Sequence, residues 1–210
     1  MSRHPVFSAV LFLSCFVCPV SADIMTYDVI VNTSSISGTT GSLDFNFNPG
    51  PLITQAASLQ ILSFSNNGSL AGIPILTGDI SGTLPATLTF DNGTAFNDYF
   101  EGFTFGSTLS FDVSLYGPAL SSPDGISTSG STFAFSMFSD VAGTIPVLTT
   151  DAIDGFAATI DVNLDGSTTV TDFSTQATVT PATSAVPEPS SFVLVGTAIA
   201  LLAMLRFRIQ

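Results

Sequence analysis

Apolar residues fall at every second position in five stretches: Tyr27-Val29-Val31, Leu43-Phe45-Phe47, Leu109-Phe111-Val113-Leu115, Phe133-Phe135-Met137 and Phe156-Ala158-Ile160-Val162. A period of two puts one face of the chain in a core and the other in water, which predicts strands. Asn48-Pro49-Gly50-Pro51, Asn66-Asn67-Gly68, Asp91-Asn92-Gly93, Gly117-Pro118 and Pro123-Asp124-Gly125 punctuate them with turn chemistry. Sustained helical spacing is absent from residues 24–174. Eight to eleven short strands are expected (roughly, from this spacing), and they close most readily as two packed sheets. The predicted fold class is all-β: an antiparallel β-sandwich, jelly-roll-like, over residues 23–174, its interior filled by 14 phenylalanines and no tryptophan.

Both ends of the chain depart from this pattern. Arg3 and His4 precede an apolar run from Val6 to Val17, and Val20-Ser21-Ala22 sets small residues where a signal peptidase cuts. Residues 1–22 therefore read as an export signal with a helical apolar core, cleaved between Ala22 and Asp23. A membrane anchor is the rival reading, but the run is shorter than the roughly 20 residues a spanning helix needs. A lipoprotein signal through Phe12-Leu13-Ser14-Cys15 is another, with Phe12 where a branched aliphatic residue is expected. From Thr175 to Val186 the composition turns to Thr, Ala, Ser and Pro without periodicity, which predicts a semi-extended linker.

Charge narrows the partners. Charged residues are 9% of the chain, against about 25% in ordinary globular proteins. Arg3, Arg206 and Arg208, with His4, are the basic residues, and all lie near the termini. Residues 23–186 hold 15 of the 16 acidic groups and no Lys, Arg or His. A domain without a cation of its own does not neutralise phosphates, which excludes nucleic acid as a partner, and anionic headgroups repel it. Divalent ions, neutral glycans or no specific partner suit it better. Cys15 and Cys18 both fall within the export signal, so the mature chain has no disulfide or thiol chemistry.

At the C-terminus, Val186-Pro187-Glu188-Pro189-Ser190-Ser191 is followed by an apolar run from Phe192 to Leu205, then by Arg206 and Arg208. Residues 187–210 resemble the PEP-CTERM sorting domain of Gram-negative surface proteins, in which a Pro-Glu-Pro motif precedes a hydrophobic span and a basic cluster. The physics agrees. The run at 192–205 partitions into the bilayer as a transmembrane helix, and the terminal arginines hold its end on the cytoplasmic side. Pro187 and Pro189 keep the motif extended at the membrane face, where a processing enzyme can grip it. The resemblance implies that this enzyme is an exosortase recognising Pro187, Glu188 and Pro189. It also implies a protein sorted from an inner-membrane-tethered intermediate to the cell surface or extracellular matrix, in a setting of extracellular polysaccharide and biofilm matrix. A plain anchor behind a proline-rich stalk is the rival.

Chemistry within the domain is sparse. Asp161, Asn163, Asp165 and Asp172 fall at positions 1, 3, 5 and 12 of a calcium-loop spacing, with Gly166 at position 6. The flanking segments alternate like strands, so a hairpin turn at 163–166 is the competing reading. Asp91 and the Asn97-Asp98-Tyr99-Phe100-Glu101 stretch gather acids around Glu101, which raises a carboxylate-pair glycosidase as an alternative. Without His or Cys in the mature domain, nucleophilic triads and histidine zinc sites are excluded. Asn32, Asn67 and Asn92 begin Asn-Xaa-Ser/Thr triplets and are expected to bond at strand ends. The expectation is a non-enzymatic structural or interaction protein with no cofactor unless calcium binds. A calcium-dependent carbohydrate-binding module is the second reading, and the glycosidase is the third.

Overall fold

The computed structural model describes residues 24–182. Its strands are β1 (Met25–Asn32), β2 (Thr40–Pro49), β3 (Ser58–Asn66), β4 (Ser69–Thr77), β5 (Ile80–Ser81), β6 (Leu88–Asp91), β7 (Asp98–Thr104), β8 (Thr108–Tyr116), β9 (Ser131–Phe138), β10 (Phe156–Val162), β11 (Thr168–Asp172) and β12 (Ala177–Pro181). One helical turn, α1 (Pro118–Ser121), follows Gly117. The strands form two six-stranded antiparallel sheets, ordered β12-β1-β8-β3-β6-β5 and β11-β10-β9-β2-β7-β4. All five predicted alternating stretches are strands, and the all-β sandwich is as expected. The strand count exceeds the expected range because β5 and β12 are short.

The sheets meet through their alternate side chains. Phe45 on β2 packs its ring 5.2 Å from Phe111 on β8 and 5.0 Å from Phe135 on β9, and Phe111 lies 5.0 Å from Phe135. Tilted and edge-to-face contacts of this kind add to the apolar area each ring removes from water. Ten of the 14 phenylalanines are buried; Phe96 is 52% exposed, because it sits in the loop before β7 rather than on an inward strand position.

The Asn66-Asn67-Gly68 turn does more than reverse the chain. It carries the chain from β3 in the first sheet to β4 in the second. Asn67 accepts from the Thr108 amide (3.0 Å) and donates to the Ser107 hydroxyl (2.7 Å). A Cβ on Gly68 would stand 2.1 Å from the Thr104 carbonyl, so this corner admits only glycine. Asn32 and Asn92 also bond as expected: Asn32 accepts from the Ser34 amide, and Asn92 accepts from the Ala57 amide.

The linker expected at 175–186 is corrected over most of its described part. Ala177–Pro181 is strand β12, paired with β1 in the register Val29↔Val179. The Asn32 amide bonds the Gln176 carbonyl and the Ala182 amide bonds the Thr26 carbonyl, so the sandwich continues to Ala182. Ala177 and Val179 turn toward the core while Thr178 and Thr180 face water, too short an alternation to stand out in a Thr-rich stretch. Pro181 is tolerated at the end of an edge strand, where its missing N–H breaks no ladder. Residues 183–186 lie outside the described residues.

Candidate functional site

The sorting residues Pro187, Glu188 and Pro189, the orienting Arg206 and Arg208, the cleavage pair Ala22 and Asp23, and the span 192–205 all lie outside the described residues. Among the described residues, no helix is long and apolar enough to cross a membrane.

The calcium-loop spacing folds as a β-hairpin. The Asn163 amide donates to the Ser167 carbonyl (2.8 Å), and Gly166 takes a φ of +82°, the left-handed conformation the turn requires. Its polar side chains bond one another. Asn163 donates to the Ser167 and Thr169 hydroxyls, and Asp165 accepts from the Ser167 amide (3.0 Å) and hydroxyl (2.6 Å). Those bonds, the hydroxyl first, hold the Asp165 carboxyl below the usual carboxylate range. Asp161 lies opposite Thr169, whereas Asp172 lies opposite Ala158, three residues farther along β10. Three residues of strand is an odd step, about 10 Å long, so Asp161 and Asp172 project from opposite faces of the sheet. The hairpin therefore does not gather Asp161, Asn163, Asp165 and Asp172 around a point. Among the described residues, no group of three or more His, Cys, Asp or Glu side chains forms a metal cage.

Asp161 and Asn163 do help line a shallow cleft of about 340 Å³, together with Pro51, Ser129, Ser131 and Thr132. The Thr132 hydroxyl donates to Asp161, its neighbour on the adjacent strand (2.5 Å). The cleft's lining combines the hydroxyls of Ser129, Ser131 and Thr132, the Asn163 amide and the Asp161 carboxylate with glycine and apolar residues.

Glu101 points into the core and is 5% exposed. It accepts a hydrogen bond from the Tyr99 hydroxyl (2.5 Å), which in turn accepts from the Leu84 amide (3.1 Å). Burial pushes the Glu101 carboxyl upward, against the opposing effect of the Tyr99 bond. The Tyr99 hydroxyl is raised as well, by burial first and by Glu101 second. Asp98, three positions earlier on β7, projects from the other face. The structure thus does not assemble the glycosidase pair of Glu101 with Asp98.

It assembles a different acidic group. On the outer face of the second sheet, Asn46 of β2 lies opposite Asp98 of β7, and Asp44 of β2 lies opposite Ser136 of β9. The Asn46 amide donates to the Asp44 carboxylate (2.7 Å). Burial raises the Asp44 pKa to about 9, reinforced by its hydrogen bond to Asp98 and by repulsion from that charge, and opposed by the Asn46 bond. Residues 139–155 fold back over this part of the face. The Val147 amide bonds the Met137 carbonyl, the Ser42 hydroxyl bonds the Asp140 carbonyl, and Gly143 rests on the Phe100 ring. Sequence reasoning missed Asp44, Asn46 and Ser136. The signal was the polar positions inside Leu43-Asp44-Phe45-Asn46-Phe47, but their partners depend on strand register. No family model matches this chain, and no curated protein or solved structure matches it either.

Proposed function

We propose that this chain is an exported bacterial surface or extracellular-matrix protein, delivered by its signal peptide and sorted by an exosortase through Pro187, Glu188 and Pro189. The observation that carries this reading is the three-part tail: the motif, the apolar run 192–205, and Arg206 with Arg208. Two further features support it. The domain has no cation with which to bind nucleic acid or anionic headgroups. Its first and last strands pair, so both connections to the targeting segments leave from one corner. We read the nested order β1-β8-β3-β6 against β2-β7-β4 as a jelly roll, an architecture shared with lectin domains. The role is structural or interactive and not enzymatic, in contact with extracellular polysaccharide.

The test is the mass of the mature C-terminus in a host with and without the sorting enzyme. A terminus near Ser190 that appears only with the enzyme is expected; retention of Gln210 in its presence overturns the reading.

The polar cleft between Pro51 and Asn163 favours a second reading, a calcium-dependent carbohydrate-binding module. Its three hydroxyls, the Asn163 amide and the Asp161 carboxylate match the donors and acceptors of a neutral sugar.

A further inference from the structure

One end of the sandwich gathers both chain connections and a set of apolar loop tips. Met25 of β1 lies opposite Leu115 of β8, and the Ala182 amide after β12 bonds the Thr26 carbonyl, so the described chain begins and ends beside Tyr116. The loop 50–57 runs from β2 to Ser58, which is also opposite Tyr116, while Pro49 and Val162 both stand opposite Ser131. The loops 50–57, 117–130 and 163–167 therefore share this end. Hydrogen bonds join the first two. The Thr128 and Ser129 amides donate to the Ile53 carbonyl (2.9 and 3.0 Å), and the Gln55 side chain donates to the Ser122 carbonyl and accepts from the Asp124 amide (2.9 Å each). Gly166 of the hairpin closes the group: a Cβ there would stand 2.8 Å from the Leu120 carbonyl and 2.9 Å from the Pro123 ring.

On this platform Leu52, Ile53, Ile126 and Leu164 are 66%, 66%, 74% and 51% exposed. Single apolar residues on a surface are ordinary, whereas a set of them on one fixed platform marks an interaction face. The chain's own length says what that face meets. Nine residues, 183–191, separate Ala182 from the apolar run that starts at Phe192. Fully extended, they reach about 35 Å. With the run in a bilayer, the loop end is the part of the sandwich held nearest the lipid, and the nine residues of β8 set the other end about 30 Å farther off.

Charge selects the headgroup. Asp124 lies two positions before Ile126, and Asp165 follows Leu164. The Ser127 and Ile126 amides hold the Asp124 carboxyl below the usual carboxylate range, and the Ser167 hydroxyl and amide do the same for Asp165, so both stay ionised. Such a pair is repelled by an anionic surface. A zwitterionic surface, whose outermost group is an ammonium, attracts it.

We propose that the loop end bearing Leu52, Ile53, Ile126 and Leu164 docks on a zwitterionic lipid surface while the chain is tethered by its C-terminal run. This rests on the reading of residues 192–205 as a bilayer span. The four side chains enter the headgroup boundary, where binding grows with the apolar area buried, and Asp124 and Asp165 meet the ammonium groups.

The test uses the absence of tryptophan from the sequence. Leu52→Trp and Ile126→Trp each place one reporter at the loop end of the exported chain, residues 23–210. Ile153→Trp places one at the opposite end, in the exposed loop from β9 to β10. Each chain is reconstituted in phosphatidylcholine vesicles with brominated acyl chains, and flotation establishes that it is anchored. Emission from the two loop-end reporters should shift to shorter wavelength and be quenched by the bromines; emission from Ile153→Trp should do neither. Adding Ile126→Ser and Leu164→Ser to Leu52→Trp should abolish the quenching and leave flotation intact. Phosphatidylglycerol mixed into the vesicles should weaken it. Circular dichroism checks folding; should one loop-end reporter not fold, the other decides. Anchored chains with unquenched loop-end reporters, equal quenching at all three positions, or quenching undiminished by the serine pair or by phosphatidylglycerol overturn the proposal alone. A chain that does not float overturns the bilayer-span reading, and the proposal falls with it.

Discussion

Replacing Asp44 by Asn tests the electrostatics of the outer face in the ion-free protein. Asp98 on β7 is the titratable group that meets Asp44, and β9 offers only Ser136 and Ala134 at the neighbouring positions. The folded-state pKa of Asp44 is about 9, raised from 3.8. A raised acid binds its proton more tightly when folded. The stability this contributes is complete below pH 3.8, declines as pH rises, and is exhausted once pH passes 9. At about 1.4 kcal/mol per pH unit, the loss between pH 5 and pH 8 is about 4 kcal/mol. Asn cannot release a proton, so the variant lacks this slope. Urea unfolding with chelator at pH 5, 6.5 and 8 reads it directly. The free-energy difference between Asp44→Asn and the parent should shift in favour of the variant by about 4 kcal/mol across that range. Parallel pH profiles would show that Asp44 ionises in the folded protein as it does in water, and would refute the reasoning.

Two other predictions concern packing and boundaries. Phe45→Ala removes the ring that meets Phe111, Phe135 and Tyr99, and should cost about 3–5 kcal/mol, seen as an earlier midpoint in denaturant. Ending the chain after Thr175 removes β12, and should cost about 2 kcal/mol through Ala177 and Val179, whereas ending it after Ala182 should leave the melting curve unchanged.

The strands easiest to read from sequence are those with one face against the core and no irregularity. Leu109-Phe111-Val113-Leu115 alternates because every odd side chain of β8 enters the interior. The alternation of β3 fails for a physical reason. Its register shifts between Leu62 and Ser65, with Ser63 at a φ of +54°, so Leu59 and Ile61 are out of step with Phe64. Strand β4 fails differently, since Ile73 and Ile75 face outward on a sheet edge and are 92% and 60% exposed.

The candidate site was less legible than the fold. Asp98 and Glu101 are neighbours in sequence, yet an odd separation on a strand sends them to opposite faces, a point that alternation alone implies once β7 is recognised. The meeting of Asp44 with Asp98 spans 54 positions and depends on which strands lie side by side. Local pattern carries no information about that order. The calcium-loop spacing, in contrast, satisfied a one-dimensional template while its flanks were strands, and two strands do not wrap ligands around a point as a helix-flanked loop does.

The placement of β12 gives the molecule a direction of mechanical strength. Its five paired residues run from Ala177 beside Val31 to Pro181 beside Tyr27, and the chain then departs past Ala182. Tension applied along the strand, with the far end of the sandwich held, loads these rungs together in shear. Tension applied across it opens them one at a time from Pro181, like a zipper. Pulled through the residue that follows β12, the sandwich resists a load along the strand and yields to one across it.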